Sequence, residues 1–425
     1  MSILERPAAE TQGPLATFEL PQLAVAGNEL TLFEGSIPLV AAMVDDIRTA
    51  KERVWLESYI IADDAAGRAV ADALLDRAAA GVEVRLMYDA IGCHATPRAY
   101  FERLARGGVQ IHAFHAIRDH WFRFDFVRIL NRRNHRKLLV VDDRVAYFGG
   151  MNIVDQRCLI TPADTKAMHL PASAGWRDLH VRLVGPKQAE IAAAMDYLWR
   201  KKLRRGLAHF AVGVQALACC QQAEAWTPTG LARWNVKQKL ASAEDAMHLF
   251  ASQPGKAARR MARVFVPLIR RAREEILVSM AYFIPVGRVL RELLRARRRG
   301  VRVRVVIPRE SDVPAVHWAT LHLCDRLLRR GIHIYERRDL MLHSKVMVID
   351  GQWTAIGSAN LDPRSLRTNL EFLAVIRSAA FAAATTAFCH HEIAHSDRIR
   401  LRSIRNRPLW QRLRDRVAWL MRRWL

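Results

Sequence analysis

Two stretches of this chain carry the same set of residues able to work on a phosphodiester. The first is Asn134-His135-Arg136-Lys137-Leu138-Leu139-Val140-Val141-Asp142; the second is Leu342-His343-Ser344-Lys345-Val346-Met347-Val348-Ile349-Asp350. Each reads His-x-Lys, four residues, then Asp. In both, Gly follows the His by 14 positions (Gly149, Gly357) and Asn by 17 (Asn152, Asn360). One His-x-Lys is uninformative, but matched offsets in two places 208 residues apart are an internal repeat. If the copies face each other, one site holds two imidazoles, two ammonium groups and two carboxamides. The Lys and Asn groups would hold the non-bridging oxygens. One His would attack phosphorus and the other would protonate the leaving alcohol.

The spacing predicts the elements that position these groups. Side chains two apart on a strand share a face, so His135 points with Lys137 and His343 with Lys345. The apolar runs Leu138 to Val141 and Val346 to Ile349 suit strands buried on both faces. Asp142 and Asp350 complete the two motifs at the strand ends, where they are expected to orient the strand ends and the lysines. A second, Gly-containing strand end brings Asn152, or Asn360 with Ser358, close by. Lysine is almost never buried unless paired, so its recurrence beside His in apolar strands argues against an incidental pattern.

With these residues in view, the chain resembles the phospholipase D superfamily, and within it the shorter bacterial cardiolipin synthases without N-terminal membrane spans. The resemblance rests on Arg133 to Lys137, Phe148 to Asn152, Trp176-Arg177-Asp178, Ala281 to Pro285, and the run His343 to Glu371 containing Gly357-Ser358-Ala359-Asn360-Leu361-Asp362-Pro363-Arg364-Ser365. It covers residues 28–200 and 256–380. It implies an α/β fold of two halves related by a pseudo-two-fold axis, each a mixed sheet flanked by helices, with one active site at their interface. It also implies that an acid after each motif hydrogen-bonds a motif histidine. By position the expected pairs are Asp178 with His135 and Glu371 with His343. A carboxylate on one ring nitrogen would fix the tautomer and free the other nitrogen. The resemblance makes His135 the nucleophile and His343 the general acid, then base; the residues alone do not decide between them.

The flanking chain has a strand–helix rhythm in both halves. Strands are expected at 54–61, 82–88 and 109–114, then at 275–282, 301–307 and 332–335. Helices are expected at 67–80, 98–106, 287–299 and 319–330. The expected organisation is a flexible segment 1–27, a first half 28–200, a connecting segment 201–255, a second half 256–395 and a basic amphipathic helix 396–425. His135 precedes Asp178 by 43 residues, but His343 precedes Glu371 by 28. The 15 extra residues of the first half, around Asp155 to Gly175, are either a surface loop or part of an acyl-chain entrance or a lid.

Length and charge bound the function. The 425 residues suffice for two domains. A net charge of +24 implies a polyanionic partner, either nucleic acid or anionic lipid. No apolar run reaches the ~18 residues of a spanning helix, and the first 28 residues have no secretory pattern. The six cysteines lack metal-ligand spacing, which fits a reduced, cytoplasmic setting. His391-Glu392-Ile393-Ala394-His395 matches a zinc protease pattern, but it lies late in a repeat built for other chemistry and reads better as a solvated helix face. Residues 397–425 hold ten Arg and two Asp. From Pro408 onward, apolar residues fall at helical spacing, with Trp410, Trp419 and Trp424 adding aromatic mass and Arg412, Arg416, Arg422 and Arg423 adding charge. This pattern predicts a helix lying on anionic lipid, the alternative being a helix packed back onto the enzyme.

These readings converge on a peripheral phosphatidyltransferase of the cytoplasmic membrane face. It would use phosphatidylglycerol, with phosphatidylethanolamine as a second candidate substrate, through a phosphohistidine intermediate. Neither a metal, a cofactor nor a protein partner is called for. A phospholipase D releasing phosphatidic acid and a nuclease of the same superfamily stand as alternatives, the flanking runs and the Trp/Arg tail weighing against nucleic acid.

Overall fold

A computed structural model describes residues 22–115, 132–155, 175–207, 245–252 and 261–424. The expected flexible start lies outside them except for residues 22–27. The candidate entrance insert lies outside them except at its two ends.

The first half runs β1 (Leu23–Val25), β2 (Asn28–Phe33), α1 (Ser36–Arg48), β3 (Arg53–Ser58), α2 (Ala65–Ala79), β4 (Glu83–Asp89), α3 (Arg98–Arg106), β5 (Gln110–Phe114), β6 (Leu138–Val141), β7 (Val145–Gly149), β8 (Trp176–Arg177), β9 (His180–Val184) and α4 (Gln188–Leu207). Its sheet has the order β1-β2-β9-β7-β6-β3-β4-β5. The second half runs β10 (Ala246–Ala251), α5 (Met261–Arg271), β11 (Glu275–Met280), α6 (Gly287–Arg298), β12 (Arg302–Pro308), α7 (Pro314–Arg329), β13 (His333–Arg337), β14 (Met341–Leu342), β15 (Lys345–Ile349), β16 (Trp353–Gly357), α8 (Pro363–Arg367), β17 (Phe372–Arg377), α9 (Ala379–Ala394), β18 (Ser396–Arg398), α10 (Leu401–Arg405) and α11 (Leu409–Met421). Its sheet has the order β10-β17-β16-β15-β11-β12-β13-β18. In each sheet three strands run parallel (β3-β4-β5; β11-β12-β13) and the rest pair antiparallel. Seven strands of each sheet correspond in order, β2-β9-β7-β6-β3-β4-β5 with β10-β17-β16-β15-β11-β12-β13, so the sequence repeat is a repeat of folds.

The expected elements are present, with instructive shifts. The strand expected at 54–61 ends at Ser58. Beyond it, the backbone of Ile60 and Ile61 turns to meet Asn152 and Ile153. Helix α7 starts at Pro314 rather than 319, because proline suits the first helical turn. Of the expected connecting segment 201–255, residues 208–244 and 253–255 lie outside the described residues; α4 continues to Leu207, and β10 pairs with β17 as a strand of the second sheet.

Three cores follow from the layering. Helices α1, α2 and α3 cover the outer face of the first sheet, burying Leu39, Val70, Leu74 and Leu104. Helices α5, α6 and α7 do the same for the second with Phe265, Leu293 and Leu327. Between the halves, Val140 and Phe148 of the first sheet meet Val346, Val348 and Phe372 of the second. Phe148 and Phe372 approach to 5.3 Å between ring centres. Two reciprocal parallel pairings stitch the halves: β14 to β8, and Asn134 to Leu370.

Candidate active site

That stitching sets the positions of the motif histidines. His135 N–H donates to the Leu370 carbonyl (2.9 Å), and His343 N–H donates to the Arg177 carbonyl (2.7 Å). Each histidine is thus registered against the strand of the other half, one residue before that half's acid. The expected pairing is therefore exchanged. His135 Nδ1 lies 3.1 Å from Glu371 Oε2, and His343 Nδ1 lies 2.6 Å from Asp178 Oδ2. Each carboxylate reaches across the interface because backbone pairing runs between halves, which spacing along one chain does not reveal.

The two imidazoles are not equivalent. His135 Nδ1 is flanked by acceptors only, Glu371 and the Ser358 carbonyl (3.1 Å). Nδ1 therefore carries the proton, and the Nε2 lone pair is free. Glu371 is further held by the Ser358 and Ser365 hydroxyls (2.6 and 2.7 Å) and by its own N–H donating to Ser252 Oγ. Asp178 instead accepts from Lys345 Nζ (3.2 Å), which also lies 2.8 Å from His343 Nδ1. Gly150 is required here. A Cβ at that position would collide with the Asp178 carboxylate, where the second half places Ser358 beside the longer Glu371.

Burial dominates the electrostatics. Desolvation, with help from Lys137, lowers His135 to about 4. Desolvation and the neighbouring Lys345 lower Lys137 to about 7. Burial and Lys345 also lower His343. For Asp178 and Glu371, burial alone would raise the pKa, but the ammonium and imidazole neighbours outweigh it and hold both below the usual range. Lys137 Nζ donates to the His135 carbonyl (2.9 Å) and sits 5.2 Å over the Tyr59 ring; Lys345 Nζ bonds the His343 carbonyl likewise. The Asn152 Oδ1 accepts from Ile60 N (3.2 Å) and Asn360 Oδ1 from Tyr282 N (3.3 Å), which leaves each carboxamide its NH2 to donate.

Acid should unfold this protein through two buried neutral histidines, His135 and His180. Burial lowers His180 to about 3, and neither of its ring nitrogens has a hydrogen-bond partner among the described residues. Folded pKa values below the unfolded ~6.5 mean the unfolded chain binds more protons, so the stability these groups contribute is present above pH ~6.5 and lost as pH falls toward 4. Urea midpoints measured at pH 7, 6 and 5 should fall steadily. A flat profile contradicts the burial of these groups as neutral imidazoles.

Asp142 and Asp350 stand apart from the chemistry. They lie at the far ends of β6 and β15, in the left-handed region (φ 50° and 51°). Asp142 accepts from the N–H groups of Lys51, Glu52 and Arg53 (3.0, 2.9 and 3.0 Å), and Asp350 from Arg273, Glu274 and Glu275 (2.8, 2.9 and 2.8 Å). They anchor the starts of β3 and β11. They fix the strand ends as expected, but the lysines are held instead by the His135 and His343 carbonyls.

Several site residues carry no obvious sequence signal. Arg136, fully buried between His135 and Lys137, binds Glu57 through Nε and Nη2 (2.9 and 2.8 Å). The second half places Ser344 and Ser279 there, 2.6 Å apart. Tyr59 meets His135 edge-on (5.0 Å between centres) and Trp176 packs on His343 (4.6 Å). Arg177 bridges Glu34 (2.9 Å) and Glu392 (3.0 Å), while Arg337 also holds Glu392 (2.6 Å). Glu392 is thus fully buried rather than solvated as expected of this helix face, and its carboxylate is consumed by two arginines. Among the described residues no group of His, Cys, Asp and Glu is arranged to hold a metal.

The tail packs back onto the enzyme along one face and leaves an apolar face exposed. Helix α11 is docked on α7: Ala418 packs with Val316 and Ala319, and buried Asp415 accepts from Arg407 and from Arg414 (3.2 Å). Trp419 faces inward, and half-buried Arg422 covers it at 4.4 Å, so these two leave the proposed lipid face. The outward face exposes Leu409, Trp410, Leu413, Val417, Leu420, Met421 and Trp424, all at least 48% accessible. Exposed Arg412, Arg416 and Arg423 border it. No helix among the described residues is long and apolar enough to cross a membrane.

Comparison with known proteins agrees with this geometry. The family model for the cardiolipin synthase, phospholipase D-like domain matches residues 43–161 and 265–391. Cardiolipin synthase A of Pseudomonas syringae is 33% identical over 355 residues, 82% of this chain and 65% of that protein. Cardiolipin synthase A of Pseudomonas aeruginosa is 32% identical over 93% of this chain and 73% of its own length. Cardiolipin synthase of Oceanobacillus iheyensis is 30% identical, with 81% and 64% covered. The chain thus spans about two thirds to three quarters of these relatives. Among solved structures, phosphatidylserine synthase of Haemophilus influenzae shares the fold, with a TM-score of 0.64 at 12% identity over 93% of this chain and 95% of that one.

Proposed function

Because the chain belongs to the cardiolipin synthase family of phospholipase D-like proteins, we propose that it is a phosphatidyltransferase that makes cardiolipin from phosphatidylglycerol by double displacement at His135 and His343. The observation that carries the reading is the pair of buried imidazoles, each held at Nδ1 by a carboxylate of the other half. His135 Nε2 attacks phosphorus. The bond to the headgroup oxygen breaks, and His343 gives that oxygen its proton. The phosphatidyl group then rests on His135. His343, now a base, takes the proton of a second phosphatidylglycerol hydroxyl, whose oxygen displaces His135 and completes cardiolipin. Lys137, Lys345, Asn152 and Asn360 supply donors for the phosphoryl oxygens. A neutral His135 with its free Nε2 suits the nucleophile.

The enzyme works on the membrane surface, with the exposed stripe of α11 set into the lipid boundary and its arginines against anionic headgroups. The test is turnover on vesicles of phosphatidylglycerol and phosphatidylethanolamine with EDTA present, read by mass spectrometry. Cardiolipin supports the reading. Phosphatidic acid alone makes the protein a hydrolase, and cleavage of added DNA without lipid products makes it a nuclease. In the same assay, Leu413→Glu with Leu420→Glu should weaken vesicle binding at least about a hundredfold, each leucine contributing roughly 1.5–3 kcal/mol when buried. Unchanged sedimentation with vesicles removes α11 as the lipid face.

A further inference from the structure

The two walls of the site differ at one pair of equivalent positions. Asn152 holds the backbone of Ile60, and Asn360 holds that of Tyr282, so Ile60 and Tyr282 correspond. The first half carries an apolar residue there. In the second, the Tyr282 hydroxyl donates to Asp312 Oδ2 (2.6 Å), and the Ser311 hydroxyl lies within 3.4 Å of Oδ1. Asp312 is exposed, and its charge reaches Tyr59, His343 and Lys345. No arginine or lysine pairs with it among the described residues, in a protein with 66 basic side chains. An unpaired carboxylate beside a site for an anionic phosphodiester opposes phosphate binding, so its place there needs another ligand.

That ligand must donate. A carboxylate only accepts hydrogen bonds, and the single O–H of the Tyr282 phenol is already donated as a hydrogen bond to Asp312. The part of a phospholipid beyond the phosphodiester that carries donors is the headgroup alcohol, through glycerol hydroxyls or an ammonium. We propose that Tyr282 and Asp312 form the headgroup subsite, on the His343 side of the cleft, and that it admits alcohols bearing O–H or N–H donors. This rests on the phosphatidyltransferase reading of the same site. It places the exchanged alcohol beside the histidine that handles its proton, and leaves Ile60 at the equivalent position of the other half. Asp312 is the binding residue and Tyr282 positions it.

The test reads binding without turnover. Calorimetric titrations of the whole protein use ethyl glyceryl phosphate, ethyl 2-aminoethyl phosphate and ethyl methyl phosphate, the last having no hydrogen-bond donor. At least one of the first two should bind about tenfold or more tightly than the third, as expected for hydrogen bonds to a charged group. Which one does so identifies hydroxyl or ammonium as the source. Asp312→Ala should bring all three to the affinity of the methyl diester without changing that affinity, and Tyr282→Phe should give part of this loss. Equal binding of the three by the unaltered protein, binding of none, or a preference that survives Asp312→Ala overturns the subsite. The vesicle assay above reports on the transferase reading separately, since lipid products form or fail to form whatever the preference among soluble diesters.

Discussion

Alanine at His343 should leave a protein that accepts a phosphatidyl group once and cannot pass it on. With phosphatidylglycerol, turnover falls by about 10²–10⁴-fold, since both the acid for the leaving alcohol and the base for the incoming one are gone. A phosphatidyl nitrophenyl ester needs no acid, because its leaving group departs as the anion. With that donor, His343→Ala should release one equivalent of nitrophenolate and then stop, and mass spectrometry should find the phosphatidyl adduct on the peptide containing His135. His135→Ala should release none. The asymmetry at Nδ1 drives this expectation: acceptors alone surround that atom of His135, which fixes the Nε2 lone pair, whereas Lys345 crowds the same atom of His343. An adduct on His343 in the His135→Ala protein reverses the assignment.

The second large effect belongs to Asp178. Asp178→Asn keeps the shape but removes the one negative charge bonded to both His343 and Lys345. Leaving buried partners uncompensated costs on the order of 3–5 kcal/mol of stability, and loss of the proton-handling histidine's orientation costs about 10²–10⁴-fold in turnover. The cross-half geometry makes the outcome specific. The ¹⁵N shifts of the His343 ring should move in Asp178→Asn while those of His135 stay, and Glu371→Gln should do the reverse. Shifts of His135 in Asp178→Asn point to pairing within each half.

Those carboxylates mark the boundary of what sequence could reveal. The repeat was legible because His, Lys, Gly and Asn recur at matched offsets, and offsets on strands translate into faces. The halves and most of their strands followed from apolar runs closed by glycine, as at Gly81 and Gly300, both with left-handed backbone (φ 82° and 92°). Asp178 and Glu371 were identifiable as acids near the site, but not their partners. Partner choice depends on Asn134 pairing with Leu370 and Leu342 with Arg177, contacts between segments more than 160 residues apart. Arg136 and Glu57 were hidden for a related reason. A charged residue inside an apolar strand looks exposed until its buried counter-charge on the neighbouring strand is seen. For the tail, periodicity gave an amphipathic helix without saying which stripe faced the protein. Asp415 and Ala418 chose the inner one by bonding Arg407 and packing on α7.

The reciprocal pairing of the two halves also governs how the enzyme fails. Each histidine depends on the opposite half for its backbone register and its carboxylate. A molecule in which either half has loosened therefore loses the alignment of both at once. It does not keep a lone activated histidine that could strip headgroups from membrane lipid with water as acceptor. Heat-damaged or partly proteolysed molecules should fall silent instead of becoming lipases, which under the proposed function spares the lipid the enzyme acts on.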